Sequence, residues 1–422
     1  MEATGSIADR PRLTGRQIAA VAAGNALEFY DFVTYSFFAV QIGRTLFPGD
    51  ASQSLILSLA TFGVGFVSRP LGGLIIGRMA DRRGRKPGMI LSFTLMGIGI
   101  VGLALTPSYR VAGIAASVLA VLFRLLQGFA LGGEVGPNAA YLMEAAPPHR
   151  RGFYLSIHLA TADAAVLVAG TVGFALSSLL SAPMLDAWGW RIAFLIGASI
   201  VPFGLAIRRT LVETLPPEAK LPAPPGSLRP LLITAGAGML ILGAGTVSNY
   251  TLAYLTTYAQ DTLHMAVRSA FGATVVLGLV SALSDLGTGW LSDRFGPKRV
   301  LVGPWLALIL LAVPTFTFLD ATRTAGALFG ATALLTLLHI FGSSAAILLF
   351  IQALPARVRA GSLSLVYALA IAIFGGSTQL MERLLIGWTG SPVAPGCYMV
   401  VAVAAGLIGA LLIREPERPA RP

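Results

Sequence analysis

Between two long apolar runs the chain reads G-R-M-A-D-R-R-G-R-K, Gly77–Lys86, and 212 residues later, again between two apolar runs, it reads G-W-L-S-D-R-F-G-P-K-R, Gly289–Arg299. The shared pattern is G-x-x-x-D-R-x-G. One charged run on a loop is usually a solvated feature that sets orientation. The same pattern at equivalent places half a chain apart marks an internal repeat. Gly77 and Gly289 would let neighbouring helices approach, and Asp81 and Asp293 would accept hydrogen bonds from backbone donors at a helix N-terminus. With Arg82, Arg85 and Arg294 they form a candidate gate, closing one side of the molecule and releasing it when two halves rock.

The sequence around the two motifs is that of a membrane protein. Of the 422 residues, 55% are hydrophobic and only 12% charged, and the mean hydropathy is +0.77. A soluble domain carries about a quarter charged residues, so that class is excluded. A span needs about twenty mostly apolar residues. Twelve such runs are present, at about 17–40, 53–76, 88–106, 112–143, 153–178, 190–208, 230–258, 269–291, 299–318, 324–352, 360–386 and 396–413. The expected fold is therefore an all-α polytopic membrane protein of twelve helices in two six-helix, pseudo-symmetric halves. The Pro-rich segment 209–229 is the expected cytoplasmic linker between half 1–208 and half 230–422.

Basic residues orient the spans. One set of loops and tails carries 22 of the 30 Lys and Arg, including Arg78, Arg82, Arg83, Arg85 and Lys86. The opposite loops carry only Arg44, Arg110, Arg191, Arg268 and Arg323. By the positive-inside rule both termini are cytoplasmic, which requires an even number of spans. The formal charge of +11 follows from this distribution over membrane-flanking loops and needs no nucleic-acid partner. The polar, basic first twenty residues lack a signal-peptide pattern, so the first apolar run is expected to remain as a span. The only cysteine, Cys397, excludes an internal disulfide. No phosphate-binding loop, metal-ligand cluster or nucleophile with a positioned base points to an enzyme, and no cofactor is expected beyond the proton as coupling ion.

Several local runs then carry a resemblance. They are G-N-A-L-E-F-Y-D-F (Gly24–Phe32), R-P-L-G-G (Arg69–Gly73), R-L-L-Q-G-F-A-L-G-G-E-V-G (Arg124–Gly136) and A-I-F-G-G (Ala372–Gly376). With the repeated loop motif, they make the chain resemble the major facilitator superfamily over essentially its whole length. It is most similar to the metabolite:proton symporter branch, which includes bacterial citrate and tricarballylate symporters. Two positions depart from that pattern: Pro297 stands where the first motif copy has Arg85, and Gln379 where the branch has proline. The resemblance implies a secondary transporter of a bacterial inner membrane, working by alternating access as a monomer in the bilayer.

Ionisable groups inside spans cost roughly 2.5–3.5 kcal/mol at a helix centre, so each is a functional candidate. In the first span Asn25, Glu28 and Asp31 share one face. In the fourth, Arg124, Gln127, Glu134, Asn138 and Tyr141 fall within an arc of about 100°. Arg124 can hold a carboxylate bidentately, or pair structurally with a nearby acid. An acid in a low-dielectric cavity can bind and release protons, and one close to Arg124 would couple protonation to ligand. The resemblance puts proton coupling on Asp31 and Glu134, with Glu28 a second choice that also serves as a helix brace.

In the fifth span His158 and Asp163 lie about 140° apart. The seventh presents Tyr250, Tyr254, Thr257 and Tyr258 beside Asn249, and in the eighth Asp285 shares a face with Ser281, Ser284 and Thr288. The candidate substrate-binding set is thus Arg124, Gln127, Asn25, Asn138, Tyr141, His158, Asp163, Asn249, Tyr250, Tyr254 and Tyr367. The candidate proton-coupling set is Asp31, Glu134, Glu28 and Asp285. Arg69 reads as structural, and Glu382 and Arg383, pointing apart by about 100°, read as bonded to other helices. Proton-driven uptake of a small carboxylate fits the deep Arg. Proton-driven export of drugs or cations, or symport of a zwitterion such as proline or betaine, fits the several acids. A sensor or channel would need a signalling domain or pore that the sequence does not present.

Overall fold

The computed structural model describes residues 26, 29–83, 85–132, 151–210, 228–354 and 359–413; at 80–83, 85, 86, 89, 151–155, 158, 200, 203–210, 228–231 and 359–364 it describes the backbone alone. Among the described residues all regular structure is helical. Helix α1 comprises 29–37 and Ala39–Leu46, and α2 comprises Ala51–Val67 and Arg69–Arg83. The first half continues with α3 (Arg85–Leu105), α4 (Ile114–Gly132), α5 (Arg151–Leu179) and α6 (Trp190–Thr210). The second half holds α7 (Leu228–Asp261), α8 (Val267–Phe295), α9 (Pro297–Thr322) and α10 (Ala325–Ala353). It ends with α11, built of Arg359–Ala370, a π-helical turn at Ile371–Gly375 and Gly376–Thr389, and with α12 (Ala394–Leu412).

Twelve membrane helices are therefore arranged as expected. Nine described stretches are long and apolar enough to cross a bilayer on those criteria alone. The described apolar part of α3 is Ile90–Leu105, because residues 85, 86 and 89 are described as backbone alone, and α1 and the end of α6 likewise run into residues that are outside the description or described as backbone only. Of the expected linker 209–229, residues 211–227 lie outside the described residues, while 209–210 end α6 and 228–229 begin α7.

The loop motif has a physical basis in its second copy. Gly296 has φ +95°, which only glycine adopts readily, and its N–H bonds to Ser292 O at 3.0 Å. Pro297 then starts α9, a position where its fixed φ suits a helix and its missing N–H costs nothing. Lys298 donates to the carbonyls of Leu411 and Ile413 at 3.1 and 2.8 Å, capping the end of α12. At Gly77 the space where a Cβ would stand is empty to 4 Å, so no described helix closes on it. Asp81, Arg82 and Arg85 fall where only backbone is described.

Small residues set the helix crossings that shape the interior. A Cβ on Gly128 would lie 1.7 Å from Gly65 O, and one on Gly132 would lie 1.9 Å from Arg69 O. The α2 and α4 backbones thus touch through R-P-L-G-G and R-L-L-Q-G-F-A-L-G-G, which brings Arg69 and Arg124 into one region. The two halves meet by the same device. A Cβ on Gly63 would lie 2.3 Å from Gly376 O where α2 crosses α11, and one on Gly278 would lie 2.3 Å from Leu167 N where α8 lies on α5.

Candidate functional site

Between the halves lies a cavity of about 180 Å³, lined by α1, α2, α4, α5, α7, α8, α10 and α11. Its lining is largely apolar, as ligand sites usually are, with a few convergent polar groups. The first half contributes Ser36, Arg69 and Asp163. The second contributes Asn249, Tyr250, Asp285, His339 and Tyr367, with the serines of α8 and α10 beside them. The π-helical turn at Ile371–Gly375 coincides with the A-I-F-G-G run, and its first residue, Ile371, reaches the cavity. Such turns re-aim side chains, often at functional positions.

Two arginines lie in an aromatic cluster at the first-half wall. The Arg69 guanidinium is 4.4 Å from the Phe32 ring centroid and 4.3 Å from that of Phe66. Arg124 is 4.9 Å from Phe32 and 4.5 Å from Tyr35. It donates from Nη1 to Gln127 Oε1 at 2.8 Å and is wholly buried behind the cavity lining. Phe32, Phe62 and Phe66 pack with centroids 4.7–5.3 Å apart, and Tyr250 meets Phe66 edge-on at 5.4 Å. Cation–π contact offsets part of the desolvation of each guanidinium, but a ring accepts no conventional hydrogen bond. Arg69 Nε and Arg124 Nε and Nη2 have no hydrogen-bond partner among the described residues. Buried donors are rarely left so, and an anionic ligand would satisfy them.

Asp31 lies near Arg124, close enough to interact electrostatically without a direct ion pair among the described residues. It is buried, and neither carboxyl oxygen has a hydrogen-bond partner among the described residues. Asp163 and Asp285 line the cavity from α5 and α8, with Ser344 donating to Asp285 Oδ1 at 2.6 Å. His339 faces the same space, its Nδ1 paired with Ser343 Oγ at 3.1 Å.

The remaining candidates are placed as follows. Asn249, Tyr250 and Tyr367 line the cavity; Gln127 is held by Arg124. Tyr254 is buried away from the cavity lining, near Tyr258, which donates to Pro392 O at 2.8 Å. Asn25, Glu28, Glu134, Asn138 and Tyr141 lie outside the described residues, and His158 is described as backbone only. Asp293 and Arg294 sit in the last turn of α8, where Arg294 lies 5.4 Å from the Trp290 ring. Arg69, read from the sequence as structural, stands on the cavity wall. The α10 serines and His339 were not singled out as site residues, because nothing in one helix shows which neighbour it faces.

The side of the cavity away from the linker is sealed between the halves. Gln379 Nε2 donates to Ser36 Oγ at 2.6 Å, joining α11 to α1 over the cavity. Further out, Gln41 Nε2 donates to Gln260 Oε1 at 2.8 Å, and Arg383 donates to Ser52 Oγ at 2.9 Å while pairing with Asp261 at 2.8 Å. Glu382 accepts from Thr251 instead, so the two neighbours serve different contacts.

Two halves of membrane helices around a central cavity with a few convergent polar groups are the architecture of a secondary transporter. The chain matches the Major Facilitator Superfamily over residues 21–377 and belongs to that family. It is 35% identical to a citrate-proton symporter of Klebsiella pneumoniae, over 92% of this chain and 89% of that protein. It is 34% identical to an alpha-ketoglutarate permease of Escherichia coli K12, over 94% and 93% of the two chains. Among solved structures it is similar in fold to a D-xylose-proton symporter, with a TM-score of 0.74 at 18% identity over 94% and 96% of the chains.

Proposed function

We propose that the protein imports a small di- or tricarboxylate together with protons, by rocker-switch alternating access. It works as a monomer in a bacterial inner membrane, with both termini cytoplasmic. The relatives' printed substrates, citrate and alpha-ketoglutarate, are of this class. The observation that carries the reading is the buried Arg69 guanidinium on the wall of a cavity between the halves, with a donor unpartnered among the described residues and with Arg124 behind it across Phe32.

Charge bookkeeping links the proton to the ligand. Arg69, Arg124 and Asp31 together hold one net positive charge when Asp31 is ionised and two when it is protonated. Protonation therefore strengthens anion binding, and by linkage a bound anion strengthens proton binding equally. Arg69 is the direct anchor on the wall, and Arg124 ties Asp31 to it through the shared aromatic cluster. Asn249, Tyr250 and Tyr367 provide hydrogen-bonding groups on the same cavity. The seal through Gln379, Gln41 and Arg383 closes the periplasmic side in this conformation, leaving the cytoplasmic side as the route out.

Proteoliposome uptake tests this. With the lumen alkaline, labelled citrate or alpha-ketoglutarate accumulates, and accumulation is lost in Arg69→Ala and Arg124→Ala. Absence of carboxylate uptake, together with gradient-driven expulsion of a lipophilic cation, would replace this reading with the export one.

A further inference from the structure

The acids of α5 and α8 form a feature that Asp31 and the arginines do not account for. Gly278 lets the two helices lie backbone to backbone, and one to two turns towards the linker side Asp163 and Asp285 meet across the boundary between the halves. Their carboxyl groups are within hydrogen-bonding reach of each other. Asp285 is 1% exposed, and its Oδ1 is taken by the Ser344 hydroxyl at 2.6 Å. Its Oδ2 is buried and accepts from no donor among the described residues. Two acceptor-only carboxylates cannot hydrogen-bond to each other, so a contact between them requires a proton on one.

Among the described residues no cation neutralises the pair. From α10, the neighbours are Ser344 and His339, whose Nδ1 is engaged by Ser343. From α7 come Asn249 and Tyr250, which are uncharged at neutral pH, and from α8 itself Ser281. Arg69 stands on the cavity wall among Phe32, Phe66, Tyr250 and Tyr367. Asp31 interacts electrostatically with Arg124, and Glu382 accepts from Thr251 further out. On α5, His158 is described as backbone only. Among the described residues no Lys or Arg pairs with Asp163 or Asp285.

We propose that Asp163 and Asp285 are a carboxyl–carboxylate pair that holds one shared proton across the boundary between the halves, a proton-binding site distinct from Asp31. With the proton in place, an O–H···O⁻ bond ties α5 to α8 beside the cavity. When it leaves, two like charges face each other in a buried site, and the helices are driven apart there. A proton moving on or off this pair thus acts on the interface about which the halves rock. The site itself does not depend on what the cavity carries; only its part in transport rests on the proton-coupled reading above.

The test needs no transported substrate. Asp163→Asn and Asp285→Asn each replace one carboxyl by an amide that can still donate the bond, and so imitate the singly protonated pair permanently. In purified full-length protein, melting temperature is followed from acid to alkaline pH for wild type, both single variants and the double variant. The wild type loses stability at the alkaline end, and each single variant flattens that loss. The double variant flattens it no further, because both substitutions remove one and the same proton.

Single variants that keep the wild-type pH profile, or two flattenings that add, would overturn the shared proton. So would a wild-type melting temperature that rises with sodium ion or glycine betaine and loses that response in the variants, since the pair would then be a cation site. A structural role alone would lower the melting temperature equally at every pH. If one single variant fails to fold, the other still decides, because each predicts the same flattening.

Discussion

Arg69 and Arg124 approach the same aromatic ring, their guanidinium carbons 4.4 and 4.9 Å from the Phe32 centroid. Two like charges around one phenyl group repel each other, and the ring quadrupole offsets only part of that. A carboxylate entering the cavity would relieve the repulsion and could accept from Arg69, whose Nε has no partner among the described residues. Arg69→Ala should therefore weaken carboxylate binding by about 10- to 100-fold, the equivalent of one or two charge-assisted hydrogen bonds. Arg69→Lys keeps the charge but loses the planar fork, and its affinity should fall in between. Binding isotherms on purified protein check both.

In the proposed mechanism Asp31 carries the drive. Asp31→Asn should bind and exchange carboxylate across the membrane while failing to accumulate it against a proton gradient. Counterflow and gradient-driven uptake, measured on the same vesicles, separate the two activities. Accumulation that survives the substitution would remove Asp31 from the coupling step.

Arg383 and Asp261 form part of the seal, with Ser52 reached from the same guanidinium. Asp261→Asn or Arg383→Ala should loosen the periplasmic side. In a background where the only cysteine, Cys397, is replaced by Ser, an Ala253→Cys reporter on the cavity wall should react faster with a membrane-impermeant thiol reagent from outside. An unchanged labelling rate would show that the Gln379–Ser36 and Gln41–Gln260 contacts hold the seal alone.

Gly128 sets the α2–α4 crossing. Gly128→Ala places a methyl 1.7 Å from the Gly65 carbonyl oxygen, so the backbones must part. The overpacking should cost about 1–3 kcal/mol and lower the melting temperature. It should also weaken carboxylate binding, because Arg69 and Arg124 depend on that crossing.

Much of the fold was legible because membrane helices announce themselves by length and apolarity, and because the repeated loop motif displays the two-fold design. Gly296 and Pro297 are cases where a motif residue has a local backbone reason readable in advance. The site was less legible. Angular arithmetic on α4 places Arg124 on a polar stripe but does not show that Phe32 stands between it and the cavity. Arg69, counted along its span, falls towards one membrane face, and only the α2–α4 contact shows it on the wall. The Asp163–Asp285 contact joins residues on helices from different halves, which no single-helix periodicity reveals. Gln379 stands out in the sequence as a departure, and its partner Ser36 lies 343 residues away.

The central claim is that a carboxylate and a proton strengthen each other's binding through Asp31 and the two arginines. It is tested most directly by titrating citrate or alpha-ketoglutarate into purified protein calorimetrically, in buffers of different ionisation enthalpy, to count protons exchanged on binding. The account predicts net proton uptake with the ligand in wild type and a markedly smaller uptake in Asp31→Asn. Binding with no proton exchange, or with proton release, would contradict it.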